Sequence, residues 1–198
     1  GIDKAIFAYG STGSVVSMSN LVSNSGVVAT DTVGVGTARS FVGATGYGLT
    51  GQAIFAYGET GSNVSMSNLV TNVGVIGTDV TGVGTARAFP GAAEYGSSGQ
   101  AIFAYGTTNG AGGVVSMSNL VTSAGVIGTD VVGVGTARYD ARATRYGGDK
   151  AIFAYGYDAS PGNVAMSNKV SNSGVVATDV AGVGTGRRHE AAAGYSTG

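Results

Sequence analysis

Short apolar segments alternate along this chain with stretches rich in glycine and polar residues. In the segment AIFAYG, which starts at Ala5, the side chains of Phe7 and Tyr9 point to one face of an extended strand, and those of Ile6 and Ala8 point to the other. Because both faces are apolar, the pattern predicts a strand that is covered by protein on both sides. No segment shows the helical period of 3.6 residues over ten or more positions, so the chain is predicted to be all-β.

The apolar segments belong to a tandem repeat. AIFAYG recurs with spacings of 48, 48 and 50 residues, and each copy is followed by the motif MSN. The Asp of ATD or GTD always lies eleven residues after the Asn of MSN. The Arg that ends GVGTAR, or GVGTGR in the fourth copy, lies eight residues after that Asp. This register divides a single predicted domain, 1–198, into four units at approximately 4–51, 52–99, 100–149 and 150–198.

Each unit contains four segments with the character of strands. Besides AIFAYG, these are VVSMSNLV, GVVATD after the turn-forming NSG, and the stretch after the Arg, which reads SFVGATGY in the first copy. Four strands in 40 to 50 residues, with glycine-rich turns between them, are typical of a propeller blade. The pattern therefore predicts a β-propeller with four blades of four antiparallel strands.

The order of these segments resembles a kelch-type blade over the whole chain. A single glycine, Gly10 and its counterparts, stands where kelch repeats have a pair, and the kelch tryptophan is absent. The motifs AIF, SNLVSN and TGVGTAR also resemble the glycine-rich, propeller-like repeats of bacteriophage structural and tail proteins. These resemblances imply a β-propeller, and the second implies association with a virion.

The C-terminal stretch RRHEAAAGYSTG is of the type that precedes AIFAYG in the other copies. We expect it to pair with the N-terminal segment, so that both termini complete the first blade and no unpaired edge remains. The alternative is that the chain forms half of an eight-bladed ring made by two copies. The sequence does not decide between these alternatives.

Composition narrows the classes of partner. The chain has ten Lys plus Arg, eleven Asp plus Glu and a formal net charge of −1, which argues against a nucleic-acid partner or an anionic membrane. It has no cysteine and one histidine, so we expect no disulfide, no metal site and no cofactor. No apolar stretch approaches about 20 residues, and we therefore expect a soluble chain without membrane insertion.

The loop between the second and third strands of a meander lies at the same end of a blade as the loop that leads to the next blade. The former is the variable loop, STGS, ETGSN, TTNGAGG or YDASPGN, and the latter carries the repeated Arg. Loops on a rigid scaffold commonly carry recognition, so we predict a binding face here. Its candidate residues are Arg39, Arg87, Arg138, Arg187, Asn109, Tyr157 and Asp158. Alternatively, each Arg has a structural role, by pairing with the Asp eight residues before it or by donating hydrogen bonds to loop carbonyls.

The predicted innermost strand is where the copies differ in charge. Phe41 and Phe89 begin it in the first two units, whereas the last two carry charged residues that are candidates for lining the central channel. These candidates are Asp140, Arg142, Arg188, His189 and Glu190. Alternatively, they are solvated at the channel mouth, or Asp140 pairs with Arg142.

The sequence offers no catalytic constellation. His189 beside Glu190 is the only combination that suits an acid or base role, and no nucleophile with a supporting residue accompanies it. We therefore predict a protein that is not an enzyme. Two functions remain: an adhesin or lectin-like module that binds an unknown protein or glycan, and a structural virion or tail component that associates with itself or with its neighbours.

Overall fold

A computed structural model describes residues 3–195. The predicted all-β fold is confirmed, since the regular elements of this part are short strands. In chain order they are β1 (Ala5–Ala8), β2 (Ser19–Val22), β3 (Gly43–Tyr47), β4 (Gln52–Ala56), β5 (Ser67–Val70), β6 (Gly91–Tyr95), β7 (Gln100–Ala104), β8 (Ser118–Val121), β9 (Arg142–Tyr146), β10 (Lys150–Ala154) and β11 (Ser167–Val170). None of the described residues form a helix long and apolar enough to cross a membrane.

The strands form four small antiparallel sheets, one for each predicted blade. Three sheets have three strands, in the orders β3-β4-β5, β6-β7-β8 and β9-β10-β11, and the fourth contains β1 and β2. In each three-stranded sheet the AIFAYG strand is central. In the second blade, for example, Ile54 lies opposite Thr45 of β3 and Leu69 of β5. The inner strand of each three-stranded sheet comes from the end of the preceding repeat unit, as the register predicts.

The predicted fourth strand of each blade is present only as isolated bridges. In the second blade, Ser67 pairs with Val80 and Val70 pairs with Ile76, without a continuous ladder between them. There the Nδ2 of Asn68 donates to the carbonyl of Gly77 at 3.0 Å, so a side chain replaces one rung of the ladder. The outer edge of each blade is therefore irregular, which disfavours pairing with another strand.

The core lies between neighbouring sheets. Ile102, Phe103 and Tyr105 are fully buried, and the ring of Phe103 meets that of Tyr57 edge to face at 5.5 Å between centroids. A Cβ at Gly43 would lie 2.9 Å from the Phe103 ring, so a glycine is needed where the central strand of one blade packs on the inner strand of the blade before it. The predicted burial of both faces is confirmed for β7, where the four residues from Ala101 to Ala104 are buried.

The first blade differs from the prediction. Phe7 of β1 is 64% exposed, whereas its equivalent Phe103 is fully buried. The expected inner strand from the C-terminus is absent: residues 191–195 form no strand and do not pair with β1, and 196–198 lie outside the described residues. The stretch instead lies beside β9: Arg142 Nε donates to the carbonyl of the preceding residue, Glu190, at 3.0 Å, and a Cβ at Gly194 would lie 3.0 Å from the carbonyl oxygen of Arg145. The prediction that both termini complete the first blade is therefore wrong for the described residues.

The two equivalent phenylalanines allow a matched test of the core. We expect Phe103→Ala to lower the free energy of unfolding by about 3–5 kcal/mol, because it opens a cavity between two blades. Phe7→Ala removes the same atoms from an exposed site and should change it by less than about 0.5 kcal/mol. Urea unfolding of both variants in dilute solution measures the difference, and equal losses would contradict this location of the core.

Candidate functional site

The variable loops and the segments that carry the repeated Arg lie at the same end of the blades, as predicted. The amide of Gly10, at the start of the first variable loop, donates to the carbonyl of Arg39 at 2.9 Å. Across to the next blade, Ser40 and Glu59 exchange two backbone hydrogen bonds of 3.0 and 2.9 Å. We call this end of the molecule the loop face.

The side chain of Arg87 nevertheless points away from the loop face into a junction between two blades, where it is fully buried. Its Nε donates to the carbonyl of Tyr105 at 2.9 Å and its Nη2 to Asn119 Oδ1 at 2.7 Å, both in the next unit. Its Nη1 donates to the carbonyl of Thr85 at 3.2 Å, and its Cζ lies 4.0 Å from the centroid of the Tyr57 ring. The guanidinium thus joins two units by hydrogen bonds and a cation–π contact.

An aspartate of the next unit completes each junction. The carboxylate of Asp130 accepts hydrogen bonds from the amide and hydroxyl of Thr85, at 3.0 and 2.7 Å, and from Asn119 Nδ2 at 2.9 Å. Burial raises the pKa of Asp130, but the hydrogen bonds from Thr85 and Asn119 outweigh it, and the net pKa lies below its ordinary value. The folded state therefore favours the charged carboxylate.

The same junction forms three times in residues 3–195. Its Arg, Asn and Asp members are Arg39, Asn68 and Asp79; Arg87, Asn119 and Asp130; and Arg138, Asn168 and Asp179. Because all three Arg side chains are fully buried, their assignment to an exposed binding face is wrong. The suggested pairing with the Asp eight residues earlier is also wrong. Arg39 pairs instead with Asp79 of the next unit, with 3.9 Å between Nη1 and Oδ1.

Arg187 is the exception among the repeated arginines and is exposed. Its Cζ lies 3.6 Å from the Tyr155 ring centroid, and its Nη1 donates to the carbonyl of Thr185 at 3.3 Å. These are the contacts that the buried arginines make within their own units. Arg187 therefore remains available on the surface.

A row of aromatic rings crosses the loop face. Phe41 stacks on Phe89 with centroids 4.0 Å apart, Phe89 meets Tyr139 at 5.5 Å, and Tyr139 meets Tyr157 at 5.3 Å. At its end, Arg188 lies 4.4 Å from the Tyr157 ring centroid and donates from Nη1 to the Tyr139 hydroxyl at 2.9 Å. We refer to these four rings and Arg188 as the aromatic row. Arg188, which the sequence suggested as a channel-lining residue, is thus a member of the aromatic row.

The charged residues predicted for the channel form a cluster beside the row. Asp140 is buried, and its Oδ2 lies 2.7 Å from His189 Nδ1 and accepts from the His189 amide at 2.9 Å. Its other oxygen, Oδ1, forms an ion pair with Arg142 at 2.5 Å, so the suggested pairing of Asp140 with Arg142 is confirmed. Glu190 adjoins the cluster through the bond from Arg142 to its carbonyl.

The remaining candidates lie on the variable loops. Asn109 is exposed at the tip of the third loop, and Asp158 is half-buried at the start of the fourth. The structure thus brings Tyr157 into the aromatic row, whereas Asn109 and Asp158 take no part in it.

Sequence reasoning did not identify the row or the backbone that supports it. Phe41, Phe89, Asp140 and His189 occupy equivalent positions and have positive φ angles of 55°, 56°, 60° and 62°. Residues other than glycine rarely adopt this conformation, which costs free energy and is found preferentially at functional sites. The sequence signal was that these residues all lie two positions after a repeated Arg. Because the residue type at this position differs between copies, their common backbone conformation was not recognised.

A cleft of about 920 Å³ lies beside the row, where β1 lacks an inner neighbour. Phe7, Phe41, Phe89, Arg142 and His189 contribute to its walls. In residues 3–195, no three side chains of the His, Asp or Glu type lie close enough together to hold a metal ion.

Comparisons with known proteins establish the fold. No protein-family model matches the chain, and no curated protein matches its sequence. Among solved structures, the chain is similar to a fungal alcohol oxidase of the AA5 family in complex with copper, at 14% identity and a TM-score of 0.58, and to YjhT, at 11% identity and a TM-score of 0.58. The matches cover 79% and 81% of this chain but only 37% and 50% of those proteins. This likeness shows a β-propeller fold, and the chain spans half or less of each neighbour's length.

The junctions lead to a matched prediction on stability. We expect Arg87→Met to lower the free energy of unfolding by about 2–4 kcal/mol, because the buried acceptors of Tyr105 and Asn119 lose their donor. Arg187→Met should change it by less than about 0.5 kcal/mol, since Arg187 is exposed. Thermal or urea unfolding in dilute solution checks both, and an unaffected Arg87→Met variant would contradict a structural role.

The lowered pKa values of Asp79, Asp130 and Asp179 predict loss of stability in acid. A depressed folded pKa contributes stability that is present above the ordinary Asp pKa of about 3.9 and is lost as pH falls through the folded value. Stability should therefore decline below about pH 4, and Asp130→Asn should reduce the slope of that decline. Asp31→Asn is the control, because Asp31 accepts a hydrogen bond only from Asn20 of its own unit in residues 3–195. Unfolding measured from pH 2 to pH 6 tests both variants.

Proposed function

We propose that this chain is a non-catalytic binding module that recognises a glycan or a surface protein through its loop face, as an adhesin or lectin-like head does. The observation that carries the proposal is the aromatic row with Arg188 at one end and the Asp140 cluster beside it. A kelch-like ancestry and an origin in a bacteriophage structural protein form part of the proposal.

The chemistry of the row suits recognition. Aromatic rings and Arg are enriched at the energetic centres of binding sites, because they offer a large contact area with few rotatable bonds. Phe41 is 47% exposed and offers an apolar surface, while the Tyr139 hydroxyl and Arg188 offer polar groups at the edge. A sugar presents the same combination, an apolar ring face bordered by hydroxyls, and therefore matches this surface.

The row is also held rigidly before any ligand binds. The Phe89 amide donates to the Phe41 carbonyl at 3.0 Å, and the Asp140 amide donates to the Phe89 carbonyl at 3.3 Å. These bonds tie the inner turns of successive blades to one another. A preorganised surface loses less conformational entropy on binding, which supports affinity from a small contact area.

The charged cluster supports binding rather than catalysis. Arg142 and His189 both engage the buried Asp140 carboxylate, so each has a positioning contact within the protein. His189 is 64% exposed in its side chain and lies at the surface, where it has no nucleophilic side chain among its hydrogen-bond partners in the described chain. The cluster therefore suits the orientation of polar groups at the edge of a ligand.

A second candidate is a structural building block of a virion or tail, and one observation favours it. The outer faces of the first and last blades expose groups that are buried at the other junctions, including Phe7 and Arg187. Such faces favour assembly with further blades of the same kind.

A glycan-array screen with the wild-type chain and two variants tests the binding proposal. We expect Tyr157→Ala and Arg188→Ala each to weaken binding by about tenfold, because each removes a contact surface at the same end of the aromatic row. Leu49→Ala is the control, since Leu49 is 76% exposed in the turn after β3, at the opposite end of the blade. Absence of any glycan signal, together with a stable larger assembly in size-exclusion chromatography, would favour the structural building block.

A further inference from the structure

The outer faces of the first and last blades carry the two halves of a junction that the structure forms three times elsewhere. On the last blade, Arg187 stacks on Tyr155 and bonds to the carbonyl of Thr185, with the geometry that Arg87 has on Tyr57 and Thr85. This donor half lacks only the acceptors that a following unit would supply. We call this surface the arginine face.

The first blade carries the acceptor half. Asn20 Nδ2 donates to Asp31 Oδ1 at 2.8 Å and to the Ala29 carbonyl at 3.1 Å, as Asn68 Nδ2 does to Asp79 and Gly77. In residues 3–195, Asn20 Oδ1 and Asp31 Oδ2 accept no hydrogen bond. We call this surface the aspartate face. Its side chains already have the arrangement that receives an Arg and a Thr in the formed junctions.

The two faces do not meet within the described part of one chain. Arg187 and Asp31 are both exposed, and no hydrogen bond or ion pair joins the last blade to the first. Three similar junctions set the rotation from blade to blade, and after three such steps the ends remain apart.

We infer that two copies of this chain join head to tail, with the arginine face of each copy on the aspartate face of the other, and so close an eight-bladed ring. Charge complementarity supports a second copy as the partner, because a guanidinium meets a carboxylate and an amide oxygen of matching geometry. Thr185 donates to Asp31 in this arrangement as Thr85 does to Asp130. Two unlike faces related by a twofold rotation close the ring without an unpaired end.

Apolar packing follows the same pattern. In the formed junctions a Tyr of one blade meets a Phe of the next edge to face, as in Tyr105 and Phe153 at 5.4 Å. The exposed Phe7 of one copy would meet Tyr155 of the other in the same way. The stretch 191–195, which lies beside β9, would then lie against the free inner edge of β1 in the second copy. Both copies would thereby gain the inner strand that the first blade lacks.

One substitution makes this junction weaker than the internal ones. At the internal junctions a leucine packs closely on a glycine turn of the next blade. A Cβ at Gly174 would lie 2.9 Å from Leu120, and a Cβ at Gly125 would lie similarly close to Leu69. At the arginine face this position is Lys169. The aliphatic part of Lys169 would cover the facing turn while its ammonium group stays in water, and the charge deters aggregation of a free face. Association is therefore reversible and depends on concentration.

Sedimentation equilibrium over a range of protein concentrations tests the inference, and it does so independently of the proposed function. The wild-type mass should rise from 19.3 kDa to twice that value and no further. Arg187→Ala and Asp31→Asn should each weaken association by about tenfold or more, because each removes hydrogen bonds to a charged group. Unchanged circular dichroism and an unchanged melting temperature in dilute solution control for folding. Lys169→Leu should strengthen association.

Mixing the two variants tests the head-to-tail arrangement. The Arg187→Ala chain keeps an intact aspartate face and the Asp31→Asn chain keeps an intact arginine face, so an equimolar mixture should form heterodimers more readily than either variant alone. A wild-type chain that stays at 19.3 kDa at every concentration would overturn the inference. So would an Arg187→Ala variant with a lower melting temperature in the monomer, because that result means closure within one chain.

Discussion

Each formed junction buries an arginine side chain between two blades, and the propeller depends on that burial. A charged group removed from water stabilises a protein only when its donors are satisfied, and Arg87 meets carbonyls, an amide oxygen and an aromatic face. These acceptors come from two consecutive units, so the network forms only when the blades are correctly aligned. The sheets have only two or three short strands each, and a two-stranded sheet is at best marginally stable alone. The junction therefore sets the geometry of the arc as well as stabilising it, in a chain with no cysteine.

The same arrangement explains why the loop face is available for recognition. The backbone at each Arg is bonded to the start of a variable loop, as in the bond from Gly10 to the carbonyl of Arg39, while the side chain points into the junction. The loops are thus anchored at their bases and differ at their tips. Two residues after each Arg, the chain turns inward with a positive φ, and the side chains at these turns begin the aromatic row and the charged cluster. The contacts of the Arg side chain do not involve this position, so its residue can be Phe, Asp or His.

The differences between equivalent residues show which faces of the arc are complete. Arg87 is buried and Arg187 exposed, and Phe103 is buried and Phe7 exposed, although their local sequences are similar. Nothing within the repeat causes this, because the difference lies in what the neighbouring unit supplies. The exposed members lie on opposite ends of the arc and have complementary chemistry. The same interaction that joins blades inside the chain thus accounts for the contact proposed between two copies.

The local pattern was sufficient to predict the all-β fold with four sheets, the AIFAYG strand with two covered faces, and the common end for the loops and the Arg segments. These features depend on alternation, glycine turns and spacing, which are local properties of the chain. The direction of the Arg side chains, the pairing of Arg39 with Asp79 and the aromatic row were not predictable in this way. They join residues of different units that are 18 to 50 positions apart, and their contacts depend on the rotation between blades. That rotation arises from packing between sheets. It also places the C-terminal stretch beside β9 and leaves β1 without an inner partner.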